Sequence, residues 1–208
     1  LLALAVGVGT ALSGEPLVHD CLSYRLSRVG YWLQEGTLRH FPTNEARQNY
    51  SPINADLVML WLTAPYSDGY PLVALANSAG GVLVMLSVCG AGALLGLPRL
   101  AQLGGCFVVL GMPNFTGQLT TSQTDLFVAG LVSAALYLIL ASLVWSQWRV
   151  AVPGWLAFGV AVGAKPTVFF WGPGLAALFL GWIVLFRVDW RTVVRHGAVA
   201  VLAVVALG

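Results

Sequence analysis

The feature that most constrains this chain is a series of apolar segments with very few charges between them. The segments lie at residues 70–97, 102–113, 125–146, 151–164, 166–186 and from 197 onward. Of the 208 residues, 58% are hydrophobic and 9% are charged, whereas soluble domains carry about 25% charged residues. So few polar side chains cannot cover a water-soluble globule. We therefore expect an all-α, polytopic transmembrane helix bundle.

The segment lengths predict a single transmembrane domain over residues 1–208 that is truncated at both ends. The apolar runs at 1–12 and 197–208 are shorter than the roughly 20 residues that a helix needs to cross a bilayer. A polar stretch at 13–68 follows the first run, and residues 70–208 then hold about six segments, the last incomplete. The second and fourth of these are also short, which is typical of tilted helices or of helices that stop at an internal cavity.

Basic residues in the short loops indicate the orientation of the bundle. They fall in loops of the same parity, namely Arg99, Arg149, and Arg187 with Arg191 and Arg195. Loops rich in arginine and lysine are typically cytoplasmic, so the stretch at 13–68, the turn at 114–124 and Lys165 are expected on the outer side. We therefore predict an extracytoplasmic first loop. The net charge of +2 gives no reason to expect a nucleic-acid partner.

Interfacial amphipathic helices are predicted within this first loop. Over residues 21–35 the apolar side chains recur at helical spacing, and Gly36 is a plausible stop: Leu22, Leu26, Val29 and Leu33. Trp32 is typical of an anchor at a membrane surface, so we expect this helix to lie nearly parallel to the membrane with the four apolar residues buried. A second, more apolar helix is predicted over 55–63, ending before Pro65.

Three ionisable residues lie at the outer edge of the apolar zone, namely Asp20, Asp125 and Lys165. A charge there is costly, so each is a candidate for a functional site. Each also has a purely structural interpretation, as a helix N-cap for the two acids and as a snorkelling side chain for the lysine. The loop arginines likewise fit contacts with anionic lipid headgroups. The expected meeting of two acids and one cation at one face favours the functional interpretation.

Three motifs resemble those of the bacterial GT-C-fold membrane glycosyltransferases. The first covers residues 19–29, continues through 32–36 and ends in Phe-Pro-Thr-Asn at 41–44. The second is the run at 120–125, similar to the family's Thr-Gln-Asn-Asp segment at the start of a span. The third is the small-residue run at 159–166, similar to a family helix that ends in Thr-Lys. The motifs occur in the family's order, and the resemblance covers an N-terminal half of such an enzyme.

The resemblance implies a location in the cytoplasmic membrane and transfer of a sugar from a polyprenyl-phosphate carrier to an acceptor on the extracytoplasmic side, with inversion. It implies that Asp20 is the base for the acceptor hydroxyl and that Asp125, the second catalytic residue, positions the sugar, the acceptor or a metal. Other residues are then expected to bind the carrier or the sugar: Lys165, Arg25, Arg28, Arg47, Tyr24 and Gln123. Participation of a divalent metal stays open, because no ligand cluster has convincing spacing.

Two other functions remain open on the sequence. The first is a non-catalytic scaffold subunit of a larger membrane complex. It is favoured by three departures from the family pattern, at Arg25, Thr124 and Ala164, where the family often has His, Asn and Thr. The second is a transporter with Asp125 and Lys165 along its path. The gathering of charges at one face, rather than at the midplane, disfavours a transporter.

Overall fold

The computed structural model is all-helical, and it describes Gly9 and residues 19–65, 72–186 and 188–208. Ten α-helices lie in the described residues, which contain no strand: α1 (Leu26–Glu35), α2 (Arg47–Tyr50), α3 (Asn54–Thr63), α4 (Leu75–Leu94), α5 (Arg99–Leu110), α6 (Pro113–Gln118), α7 (Asp125–Val144), α8 (Ala151–Val162), α9 (Gly172–Phe186) and α10 (Trp190–Leu207). A π-helical turn, Cys21–Arg25, precedes α1, and 3-10 turns, Trp148–Val150 and Pro166–Trp171, precede α8 and α9. The predicted run at 1–12 lies outside the described residues apart from Gly9.

Four helical segments of the described chain are long and apolar enough to cross a membrane: Leu75–Leu94, Asp125–Val144, Pro166–Val184 and Trp190–Leu207. Two shorter apolar helices, Arg99–Leu110 and Trp148–Val162, correspond to the segments predicted to be short. The prediction of an all-α protein with transmembrane helices is confirmed at this level.

The last of these helices begins earlier than the sequence predicted. A basic loop was expected before residue 197, but Arg191 and Arg195 lie in the first turns of α10. Asp189 explains the early start, because its carboxylate accepts hydrogen bonds from the backbone N–H groups of Arg191 at 2.7 Å and Thr192 at 3.1 Å. These groups have no partner within the helix, so the cap stabilises helix at the point where a loop was predicted.

Close contacts between small residues pack the long helices together. α4 meets α7 where Gly80 faces Gly130, and a Cβ atom on Gly130 would lie 2.7 Å from the Gly80 Cα. α8 meets α10 where a Cβ on Gly159 would collide with the carbonyl oxygen of Ala203. In a membrane, apolar burial alone does little to join helices, so backbone contacts of this kind supply the packing.

One end of the bundle is tied to the first loop. Asn54, the first residue of α3, donates from its side chain to the carbonyl oxygens of Val160 in α8 at 3.2 Å and of Leu207 in α10 at 2.5 Å. Its backbone N–H donates to the carbonyl oxygen of Gly163 at 3.0 Å. The ends of α8 and α10 therefore lie beside the loop.

The opposite end of the bundle carries the basic residues of the short loops. Arg99, Arg149, Arg191 and Arg195 all lie there, and the Arg195 guanidinium carbon is 5.5 Å from the Trp148 ring centre. The grouping of these arginines, expected from the loop parity, is present in the structure. The side of the membrane that each end faces stays a prediction.

The loop helix predicted over 21–35 is present, and it buries part of its apolar face within the protein. Leu26 and Val29 are buried against other residues, whereas Leu22 is 47% exposed and Leu33 is 41% exposed on the protein surface. In the π-helical turn the N–H of Leu26 donates to the carbonyl oxygen of Cys21, so Cys21 rather than Leu22 lies below Leu26. Burial of Leu22 and Leu33 in a membrane surface stays a prediction. Gly36 ends the helix with φ 62°, as expected of a glycine stop.

The second predicted loop helix corresponds to α3, which begins one residue earlier, at Asn54. Its position at a membrane surface stays a prediction. Helix α3 packs its Met59 side chain against the buried face of α1, in an apolar cluster that also contains Cys21, Leu26, Val29, Trp32 and Val73. The two loop helices are therefore joined by an apolar core of their own beside the membrane-spanning helices.

Candidate functional site

A buried cluster of three charges joins α3 to the first loop helix. Asp56 has no exposed surface, and it accepts hydrogen bonds from Arg25 Nη1 and Arg28 Nη1, each at 2.8 Å. Burial raises the pKa of the Asp56 carboxyl, and the charges of the two guanidiniums oppose that shift. Removal of one member would leave an uncompensated charge in the interior, so the cluster depends on all three residues.

Arg28 also fixes the loop that carries α2. Its guanidinium donates to the backbone carbonyl oxygens of Arg47 at 2.6 Å, Gln48 at 2.5 Å and Ser51 at 3.0 Å. Only 1% of Arg28 is exposed, and this burial lowers its pKa. Arg28 was predicted to bind substrate, but the structure places it in the interior, where it holds the backbone behind the polar pocket described below.

Arg47 joins three side chains at the surface of the loop. It donates to the Glu45 carboxylate at 2.9 and 3.0 Å and to Asp20 at 3.5 Å. Its guanidinium carbon lies 4.7 Å from the centre of the Tyr24 ring, which is a cation–π contact. The hydrogen bond from Arg47 lowers the pKa of Glu45 to about 2. The stabilisation from this pair is therefore present above pH 4.5 and is lost as the pH falls toward 2.

An ion pair between Asp125 and Lys165 lies at the same end of the bundle. Asp125 is the first residue of α7, Lys165 precedes the 3-10 turn, and the lysine Nζ donates to the aspartate Oδ1. Asn77 of α4 fixes the start of α7, because its side-chain oxygen accepts a hydrogen bond from the Phe127 N–H at 3.0 Å. The Asp125 side chain is 42% exposed and that of Lys165 is 33% exposed, so a ligand can reach both.

A pocket of about 440 Å³ lies between the loop and Lys165. It is called the polar pocket here because three charged side chains line it, Arg25, Arg47 and Lys165, although most of its surface comes from apolar atoms. The loop contributes Tyr24, Arg25, Arg47, Tyr50 and Pro52, and the bundle contributes Lys165, Pro166 and Thr167. Asp20 stands at the edge of this polar pocket through its bond to Arg47. The polar pocket thus collects residues from the first and the third sequence motif.

An apolar groove of about 770 Å³ runs between α7 and α9 and ends at the Asp125–Lys165 pair. Its walls include Val128, Val132, Leu136, Val168, Leu175 and Leu178. From Asp125 to Leu136 the groove follows α7 for about 17 Å, at the rise of an α-helix. Lys165 lines both the apolar groove and the polar pocket.

The structure brings most of the predicted site residues to one end of the bundle. Arg47, which is bonded to Asp20, and Lys165, which is bonded to Asp125, line the same polar pocket. Gln123 is half-buried in the turn before α7, outside the lining of the polar pocket and the apolar groove. The chemical roles of these residues stay predictions.

Three residues that organise this region were not among the predicted ones: Asn54, Asp56 and Asn77. Asp56 had a usable signal, since it is the one charge in the apolar helix Asn54–Thr63, and an ionisable residue in such a setting is a candidate by default. The two asparagines form hydrogen bonds with backbone groups of helices that are distant in the sequence. Such contacts cannot be predicted from the spacing of residues.

In residues 19–65, 72–186 and 188–208, no group of three or more His, Cys, Asp or Glu side chains is placed to hold a metal ion. The acids of this region are instead bonded to arginine or lysine, as Asp20, Asp56 and Asp125 are. The arrangement places cations that are paired with carboxylates in a pocket next to an apolar groove.

The fold and the candidate site together define a class, an all-helical membrane protein with a structured loop packed on one end of its bundle. Comparison of the chain with protein-family models, with curated proteins and with solved structures gave no match.

Proposed function

We propose that this protein is a membrane glycosyltransferase that moves a sugar from a polyprenyl-phosphate carrier to an acceptor on the extracytoplasmic side of the cytoplasmic membrane. The observation that carries the proposal is the position of Lys165, which lines both the apolar groove and the polar pocket. A lipid-linked sugar needs these two environments side by side, one for its hydrocarbon chain and one for its sugar. The phosphate that joins the two parts needs a cation at the boundary.

The size of the apolar groove supports a lipid ligand. Its volume of about 770 Å³ falls within the roughly 300–1,000 Å³ that is common for small-molecule sites. Away from the Asp125–Lys165 pair its lining is apolar except for Ser133 and Thr167, so a hydrocarbon chain can lie along α7 while its phosphate reaches Lys165.

The proposed reaction joins the acceptor to the anomeric carbon of the sugar. A hydroxyl of the acceptor attacks this carbon, and Asp20 accepts the hydroxyl proton. The bond from the anomeric carbon to the phosphate oxygen breaks, and its electron pair leaves with the phosphate. Lys165 stabilises the charge that the phosphate gains. Arg47 and Tyr24, which line the polar pocket beside Asp20, bind the sugar or the acceptor.

The motif resemblance supports the same function independently of the groove. Tyr24 and Arg25 come from the first motif and Lys165 from the third, and all line the polar pocket. Asp125 comes from the second motif and bonds to Lys165. Residues that resemble a glycosyltransferase at separate places in the chain therefore meet in one region of the fold.

Replacement of the cation tests the proposal. Membranes containing the full-length protein are given polyprenyl-phosphate sugars with a radiolabelled sugar, and incorporation into acceptor is compared for Lys165→Ala and Arg149→Ala. Arg149 is the control because it lies at the opposite end of the bundle. We expect Lys165→Ala to lower the rate about a hundredfold or more, the scale for loss of one charge-stabilising group, and Arg149→Ala to retain it.

A full rate in Lys165→Ala would contradict the proposal. Binding of the carrier by the unaltered protein without transfer of any labelled sugar would favour a different function, the non-catalytic scaffold subunit of a larger membrane complex.

A further inference from the structure

Among residues 19–65, 72–186 and 188–208, the charges of the ion pairs in and next to the polar pocket are balanced. Four cations take part in these pairs, Arg25, Arg28, Arg47 and Lys165, and four carboxylates, Asp20, Glu45, Asp56 and Asp125. Each cation of this set is bonded to a carboxylate of the same set. These residues therefore carry no net positive charge that would attract an anion into the polar pocket. Each negative charge on such an anion is repelled by the nearby carboxylates.

An anion bound by Lys165 lies close to Asp125, because Asp125 is the carboxylate of the set that bonds to the Lys165 ammonium. Both residues line the same end of the apolar groove. An ammonium has three N–H donors, so Lys165 can bond to a phosphate while it keeps its bond to Asp125. The phosphate and the Asp125 carboxylate then bond to the same ammonium. They are close together, so their negative charges repel each other.

We infer that Asp125 is a specificity-determining residue that makes this site favour a lipid phosphodiester with one negative charge over a lipid phosphomonoester with two. The inference rests on the proposed function and names the charge of the headgroup that the site accepts. In the proposed reaction the donor is the diester and the released carrier is the monoester. A phosphomonoester gains most of its second charge above a pKa of about 6, so at neutral pH Asp125 repels the product more than the donor and promotes its release.

Binding of two lipids with the same tail measures this preference. Farnesyl phosphate is the monoester and farnesyl methyl phosphate is the diester, and each is titrated at pH 8 into the purified full chain in lipid nanodiscs. The quantity of interest is the ratio of the two dissociation constants. One unit charge about 4 Å away, screened as in water, changes affinity about fivefold. We therefore expect Asp125→Asn to strengthen monoester binding relative to diester binding by about that factor.

Two variants keep the test interpretable. Asp189→Asn removes an acid at the opposite end of the bundle and is expected to leave the ratio unchanged. Asp125→Glu keeps the carboxylate and is expected to keep the preference of the unaltered protein, which separates loss of charge from loss of structure. Inorganic phosphate at millimolar concentration is the competitor that distinguishes a lipid headgroup from free phosphate, and it is expected to displace neither lipid.

The outcomes separate the inference from the function on which it rests. If both lipids bind and their ratio is the same in the unaltered protein and in Asp125→Asn, the inference is wrong and the proposed function stands. If neither lipid binds either protein, both are wrong. Displacement of the lipids by inorganic phosphate would show a site for free phosphate and would also overturn the inference.

Discussion

Replacement of Asp56 by asparagine is expected to destabilise the protein strongly, although the two side chains have almost the same shape. Asp56 is fully buried and bonds to Arg25 and Arg28, each at 2.8 Å. Asparagine can still accept a hydrogen bond, but it has no charge. The substitution therefore leaves two guanidiniums close together in the interior without a counter-ion.

The expected magnitude follows from the burial of the cluster. Removal of one partner from a buried ion pair costs about 3–5 kcal/mol. For a chain of this size, each 1 kcal/mol lowers the melting temperature by roughly 2–4 °C. We therefore expect the melting temperature of Asp56→Asn to fall by about 10 °C. The same chemical change at Asp20 provides a matched control. Asp20 is paired with Arg47, but the side chains are 60% and 47% exposed, and exposed ion pairs contribute little to stability.

The assay is thermal unfolding of the full chain in detergent, followed by circular dichroism. A further variant adds Arg25→Met to Asp56→Asn, which removes one of the two guanidiniums that lack a counter-ion. We expect it to recover part of the lost stability. Arg28 is kept in this variant because it also bonds to three backbone carbonyls. Equal melting temperatures for Asp56→Asn and Asp20→Asn would refute the reasoning, because the buried cluster would then be no more important than an exposed pair.

Three other predictions follow from the fold and the proposed function. Asp20→Asn is expected to keep the melting temperature but lower sugar transfer in membranes about a hundredfold or more, the scale for loss of a general base; full activity would exclude Asp20 as the base. Gly80→Ala is expected to separate α4 from α7, since its Cβ would lie 2.5 Å from the Phe127 Cα, and so to lower the melting temperature. Gly117→Ala should not, because its Cβ would have no atom within 4 Å apart from its chain neighbours and the backbone of its own helix. For topology, cysteines placed at Thr37 and Arg191 are compared by labelling of intact cells with an impermeant reagent, and only the Thr37 site should react; the reverse result would invert the orientation.

The sequence predicted the apolar helices and the grouping of the charged ends well, because both depend on composition along the chain. Helix α7, for example, begins at Asp125 as the apolar segment does. The start of α10 was predicted too late, because the hydropathy signal begins after Arg195 while the helix begins at the Asp189 cap. Caps use side-chain to backbone hydrogen bonds, which a hydropathy pattern does not detect.

The candidate site was predictable in part. The approach of Asp125 to Lys165 follows from topology and charge, and the two are bonded. The sequence did not predict that Cys21 rather than Leu22 lies below Leu26, because the π-helical turn shifts the phase of the helix and periodicity assumes a regular helix. The pairing of Arg25 and Arg28 with Asp56 depends on how α3 packs against α1. The spacing of residues within each helix does not show how the two helices pack together.

The hydrogen bonds of Arg28 have a consequence for which positions of this protein can vary in evolution. Arg28 holds the loop through carbonyl oxygens at 47, 48 and 51, and every amino acid supplies a backbone carbonyl. The side chains of Arg47 and Tyr50, which line the polar pocket, therefore take no part in the bonds by which Arg28 holds the loop. Natural drift or a directed library can vary these positions and so alter ligand preference, while the same arginine keeps the backbone in place.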